Sequence, residues 1–304
     1  MHMKSYLLLP ALLLLPQCAR LSPQPAYPQP VRSAPASVSA TRETPPPQQA
    51  PLYPASPTPA PNAAYTSSWR RTSSLRTQEL SAGAQLHDFT ARNSTEAAEV
   101  RVVIFDSQRC AMRVLDQPSA NAGSGVITPL MRGVGAIAGV NGGFFHPNFS
   151  TLGLMIADGR QTGQFAKTSL VSGSFIMIGR EPYLVWNQEF LGERGVSQLL
   201  QAGPRLVDAG QPLPSLNRSK SAVRTFIATD GKRQWAIGTV HSTSLAGLGE
   251  LLASQGILPD IQIQRALNLD GGRSTAFYAR TANGKDISLP GWSTVRNYLA
   301  VVPR

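Results

Sequence analysis

The stretch Arg265-Ala266-Leu267-Asn268-Leu269-Asp270-Gly271-Gly272-Arg273-Ser274-Thr275 decides the reading of the chain. Leu267 and Leu269 alternate with Asn268 and Asp270, the period-two pattern of a strand whose last polar residue leaves the sheet. Gly271 and Gly272 follow and allow a sharp turn with close approach of a ligand to bare backbone. Ser274 and Thr275 then bring hydroxyl and N–H donors. A carboxylate, open backbone and donors at a strand end are the parts of an active site. The competing account is an Asp-Gly turn between two strands, so the rest of the chain has to decide.

The chain has 304 residues. Residues 1–15 read as an export signal: Lys4 supplies the positive start, and the apolar run that follows falls short of the ~20 residues that span a bilayer. The run ends at Pro16-Gln17-Cys18 and resembles the lipobox of bacterial lipoproteins, which implies acylation of Cys18. Gln17 departs from the small residue of that pattern. The only other cysteine is Cys110, and no Cys/His spacing suggests a metal site. Residues 1–18 are therefore expected to be a signal peptide.

Residues 19–82 should not fold by themselves. Thirteen of the 25 prolines fall between Pro23 and Pro61, among Ala, Ser, Gln and Thr. Such a composition buries too little to offset chain entropy and reads as an extended spacer. Residues 83–304 are left as one domain with room for a substantial core. The chain carries a formal charge of +11, and 21 bases against 15 acids remain after residue 82. That surface suits an anionic substrate or envelope polymer. Nucleic acid is excluded as a partner: export removes the chain from it, and no helix-turn-helix, zinc-finger or RNP pattern occurs.

Short strands dominate the domain. Residues 99–105 and 110–115 are expected to pair as a hairpin, and residues 224–229 and 234–240 likewise around Asp230-Gly231-Lys232. Residues 119–132 could hold a short helix. A clear helix follows Ser244 as N-cap, with Leu245, Leu248, Leu251 and Leu252 at three- and four-residue spacing before Gly256. Many strands and few helices predict an α+β domain with a mainly antiparallel or mixed sheet and a surface cavity at strand ends.

Four other stretches have the wrong composition for ordinary turns. They are Val140-Asn141-Gly142-Gly143-Phe144-Phe145, Leu152-Gly153-Leu154 running to Asp158-Gly159-Arg160, Gln201-Ala202-Gly203-Pro204-Arg205, and Arg224-Thr225 at the head of a strand. With the closing Leu269-Asp270-Gly271-Gly272, in this order, they resemble the phosphodiester glycosidase family over residues 100–302. That family includes the lysosomal uncovering enzyme, which removes N-acetylglucosamine from a sugar-1-phosphodiester.

The resemblance implies the site. Asp270, Arg224 and Asn141 are its expected catalytic set, and Gly142, Gly143, Gln201, Gly203, Arg205, Gly271, Gly272, Arg273 and Ser274 are expected to bind substrate. Arg273 stands where many members have Gly or Pro, and His241 where many have an acid. The chemistry is coherent. A sugar-1-phosphodiester expels a phosphate monoester, a far better leaving group than a sugar alkoxide, so a guanidinium can replace the usual second carboxylic acid. Arg224 would clamp the phosphate, with Arg205 or Arg273 assisting, and the paired glycines could offer N–H groups to its oxygens. Asp270 would stabilise the oxocarbenium-like transition state, act as nucleophile or activate water. No cofactor is called for, and no clustered carboxylates suggest a metal requirement. The expected protein is an exported monomer, in contact with the membrane only through a lipid anchor. A non-catalytic lipoprotein holding an anionic glycan in the same cavity is the alternative. A serine hydrolase finds little support: no G-x-S-x-G occurs, and the chain has four histidines.

Overall fold

The computed structural model describes residue 65 and residues 67–304 apart from 124. The signal peptide, Cys18 and most of the Pro-rich stretch lie outside the described residues. The first strands are β1 (Arg70–Arg71), β2 (Arg76–Glu79), β3 (Gln85–Arg92), β4 (Ala97–Asp106) and β5 (Cys110–Asp116), followed by helix α1 (Ile127–Gly133). Next come β6 (Ala138–Asn141), β7 (Met155–Ala157), β8 (Arg160–Thr162), β9 (Gly173–Ile178), β10 (Glu181–Trp186), β11 (Val196–Ala202), β12 (Arg205–Asp208) and β13 (Gln211–Pro212). The chain continues through β14 (Ala222–Thr229), β15 (Gln234–Thr243), helix α2 (Leu245–Ala253), β16 (Arg265–Asn268), β17 (Phe277–Arg280), β18 (Asp286–Leu289) and β19 (Asn297–Pro303).

These strands form three sheets. The largest runs β1-β3-β4-β15-β14-β16-β12-β13, with β2 also on β3; the others run β10-β9-β11-β7-β8 and β18-β17-β6-β19-β5. The pairings are antiparallel in all three. The domain is thus mostly antiparallel sheet, with two α-helices among the described residues, as the composition predicts.

One core joins all three sheets: Val103 and Leu267 of the large sheet meet Phe175 and Leu184 of the second and Val140 and Leu299 of the third. On its other face the large sheet is covered by α2, whose Leu248, Leu251 and Leu252 pack on Phe226 and Val240. The Ser244 hydroxyl accepts the Gly247 N–H at 2.9 Å, the cap that its sequence position predicts. Helix α1 covers the third sheet through Ile127 and Met131.

Two sequence expectations change. Strands β4 and β5 do not pair with each other: β4 lies between β3 and β15, and β5 pairs with β19. The link between them is a corner between sheets: β4 is paired along eight residues with each of β3 and β15, and β5 along its full length with β19. Ordered structure also begins before residue 83. Trp69 is buried, and β2, Arg-Thr-Gln-Glu with every residue exposed, is held by backbone pairing to β3. A polar edge strand leaves no hydrophobic alternation to read.

Candidate active site

The sequence motifs converge at a corner where strand ends of all three sheets meet. Strand β6 stops at Asn141, β16 stops two residues before Asp270, and β11 ends at Ala202, next to Gly203. Backbone bonds hold the corner: Asp270 N–H donates to Gly142 O at 3.0 Å, and Asn268 N–H to Pro204 O at 3.0 Å. The Asn268 amide donates to Gly203 O at 2.8 Å. Strand β14 completes the corner, pairing Phe226 with Asn268.

Asp270 sits on the first residues past β16. Its Oδ1 accepts the Gly271 N–H at 2.9 Å, and the Ser274 hydroxyl also bonds the carboxylate. Burial pushes the carboxyl above its ordinary value, and those two bonds offset this only in part. A desolvated carboxylate fixed by two donors is well placed for proton transfer or for facing developing positive charge. The turn behind it is one turn of 3-10 helix, Gly272–Ser274, entered through Gly272 at φ +62°.

Asn141 is 0% exposed. Its amide donates to Asp270 O at 2.7 Å, and its Oδ1 accepts from Thr225 Oγ1 at 2.9 Å and Ala276 N at 3.0 Å. These bonds tie the Asp270 turn to β14 and β17. They differ from the substrate-facing role expected for Asn141, because a fully buried amide spends its polar atoms on backbone that would otherwise be unpaired. Gln201 behaves alike: its Oε1 accepts from Leu154 N and Ala166 N, and its Nε2 donates to Ala166 O.

The glycines have a packing reason. A Cβ on Gly143 would lie 2.6 Å from Gln201 O and on Gly271 2.7 Å from Val223 O, and one on Gly203 would strike Leu170 O. A Cβ on Gly142 would strike Asn297 Oδ1. The N–H groups of Gly142 and Gly143 donate to Asn297, to its carbonyl at 2.9 Å and its Oδ1 at 2.7 Å. With Gly271 N–H on Asp270, these donors are occupied, which differs from the phosphate contacts expected of them. Gly272 is open on its Cβ side.

Arg224 lies beside this turn: its Cα is 3.7 Å from where a Gly271 Cβ would be. Its guanidinium is half-buried and donates to Thr243 O at 3.2 Å and Lys220 O at 2.6 Å. Burial lowers its affinity for the proton and the nearby Glu96 carboxylate raises it. Glu96 itself bonds Thr243 Oγ1 at 2.7 Å and Ser244 Oγ at 2.6 Å. Arg224 is thus anchored by carbonyls, with no carboxylate among the described residues in direct contact.

Arg205 points elsewhere in the same corner. It lies over the Trp186 ring at 5.3 Å and lines a cleft of about 1080 Å³ together with Pro204, Phe190 and Leu245. Arg273 is exposed, its carbonyl accepting the N–H of Trp292 at 2.8 Å. Trp292 is 77% exposed. His241 lines a separate cleft of about 570 Å³ with Asp88, Glu99 and Arg101. Residues given no site role from sequence, Asn297, Thr225, Asn268 and Glu96, supply much of the bracing. Asn297 heads the last strand, and a buried polar residue there is the one local signal of its role.

Comparison with known proteins supplies the family. The sequence profile described as phosphodiester glycosidase matches residues 134–302, and the chain belongs to this family. The catalytic domain of zebrafish N-acetylglucosamine-1-phosphodiester alpha-N-acetylglucosaminidase (NAGPA), solved auto-inhibited by its pro-peptide, is similar at a TM-score of 0.52 and 13% identity, over 81% of this chain and 87% of that one. A hypothetical protein from Synechocystis is similar at a TM-score of 0.53 and 15% identity, over 77% and 64%. At these identities the likeness shows the fold. Comparison with curated proteins returned no match.

Proposed function

We propose that this chain hydrolyses glycosyl phosphodiesters, cleaving the bond between the anomeric carbon and the phosphate oxygen. Water gives its hydroxyl to the sugar carbon and its other proton to the departing phosphate monoester. The observation that carries the proposal is Asp270, a largely buried carboxylate with a raised proton affinity, held where the family's turns converge. Asp270 faces the charge that develops at the anomeric carbon or activates the water. Arg224 takes the phosphate: its guanidinium keeps its charge through neutral pH and contacts no carboxylate among the described residues. Asn141 and Gln201 act as positioning residues for the Asp270 turn and for the chain around Leu154 and Ala166. The exposed Arg273, with Trp292 beside it, sits on the rim and selects among substrates.

Export through residues 1–15, a tether through Cys18, a spacer before the domain and action as a monomer complete the proposal. Its support is the sequence pattern; no helix among the described residues is long and apolar enough to cross a membrane. The test is sugar release from a UDP-sugar by the wild type, Asp270→Asn and Arg224→Ala. A positioned general acid or base contributes about 10²–10⁴-fold, and a loss of that size is expected for Asp270→Asn, with a loss in Arg224→Ala as well. Full turnover in both variants would remove the proposal. Tight binding of a sugar phosphate by a wild type that forms no product would leave only a glycan-holding lipoprotein.

A further inference from the structure

The cleft beside Pro204 has a character that the reaction by itself does not explain. Its volume of about 1080 Å³ is at the upper end of small-molecule sites, roughly 300–1,000 Å³. Among the residues that line it, two carry charge, Lys167 and Arg205, and both are cations. Asp208 lies 3.7 Å from Arg205 Nη1 but outside the lining, and it is shared with Arg265 Nε at 3.7 Å. Arg265 is already matched by both oxygens of Glu189, at 2.7 and 2.8 Å. Lys167 is exposed. Asp208 and Glu189 together offset Arg205 and Arg265, so Lys167 is the cation of the lining without an ion-pair partner among the described residues.

Part of its wall is apolar and aromatic. The Phe165 and Phe190 rings lie parallel with centroids 4.2 Å apart, and Trp186, Leu216 and Leu245 continue the surface. At its edge Leu170 is 47% exposed and Leu191, next to Phe190, is 63% exposed. Apolar side chains held open at the mouth of a cleft that holds Lys167 fit an anion that carries an apolar body.

The cleft lies near the candidate active site: Pro204, in its lining, accepts through its carbonyl the N–H of Asn268, two residues before Asp270. Arg205 pairs with Leu267 across β12 and β16, three residues or about 10 Å of extended chain before Asp270. Asn217, at the other end of the lining, accepts the Lys220 N–H at 3.1 Å, and Lys220 O holds Arg224. The cleft's lining is thus tied on one side to the strand that leads into Asp270 and on the other to the loop that holds Arg224.

We propose that this cleft is the leaving-group subsite, and that the substrate's phosphate bears an aryl or alkyl body in place of a second sugar. The inference rests on the glycosyl phosphodiester reading. Titration calorimetry on the full chain with phenyl phosphate, octyl phosphate, inorganic phosphate and mannose 6-phosphate tests it. Phenyl or octyl phosphate should bind about tenfold or more tightly than the two polar probes, and whichever is the stronger tells an aromatic from a chain-bearing source. Lys167→Ala and the surface variant Leu170→Asp should each lose about tenfold, while Asp270→Asn should still bind. Equal affinity for mannose 6-phosphate and both apolar probes, or indifference to both cleft variants, would overturn it. Apolar-probe binding in a wild type that releases no sugar would keep the ligand class and remove its role as leaving group, so the two failures read differently.

Discussion

At the scale of single residues, Asp270 carries two opposed consequences of one environment. Burial raises its proton affinity, so the neutral carboxyl folds more easily than the carboxylate. That stability is fully present below the unfolded-state value and is lost as pH rises through the folded one. Asp270→Asn keeps a neutral side chain at every pH. It should therefore melt above the wild type at pH 7, with the gap closing as the pH falls below the carboxylate range, while its turnover is lost. Thermal melts of both proteins across that range check the sign, and a lower melting temperature at pH 7 would contradict it. The position of Asp270 was legible because an alternating strand runs into a carboxylate and two glycines. The roles of its neighbours were not. Asn141 and Gln201 share the composition of substrate-binding amides, and only contacts to residues far along the chain, Asp270 and Ala276 for one and Leu154 and Ala166 for the other, show that their polar atoms face backbone.

Elements were legible where their signals are local. The α2 cap at Ser244 and the β14–β15 hairpin around Asp230-Gly231-Lys232 depend on residues a few positions apart, and both form as read. The β4–β5 link has an equally good hairpin pattern, yet its strands part because partner choice in a three-sheet fold depends on β15 and β19, more than a hundred residues later. The Ser244 junction connects an element to the site. Its hydroxyl caps α2 and binds Glu96, whose other oxygen holds Thr243 Oγ1, and Thr243 O receives Arg224. Ser244→Ala removes the cap acceptor and leaves Glu96 short of a donor, at a cost of about 1–2 kcal/mol. A fall in melting temperature of roughly 2–8 °C is expected for a domain of this size, and an unchanged melt would show that the helix holds without its cap.

Across the whole molecule, the corner exists because one core joins three sheets and brings the ends of β6, β11 and β16 together. The large sheet is locked to the second through Arg265, which bonds Glu189 with two nitrogens and Leu184 O with one of them. Burial by itself would raise the Glu189 carboxyl, but the bonds from Arg265 and the Trp186 N–H outweigh it and hold the group below its ordinary value. Its contribution is present above the unfolded-state value and lost as pH falls through the folded one. Glu189→Gln should cost about 2 kcal/mol at pH 7, the scale of a hydrogen bond to a charged group, and the difference from wild type should shrink in acid; denaturant titrations at the two pH values measure it. The central claim concerns which bond breaks. Hydrolysis of a sugar-1-phosphodiester in oxygen-18 water decides it by mass spectrometry of the products. Label in the anomeric hydroxyl of the freed sugar is the expected result, and label in the phosphate monoester would contradict glycosidic cleavage.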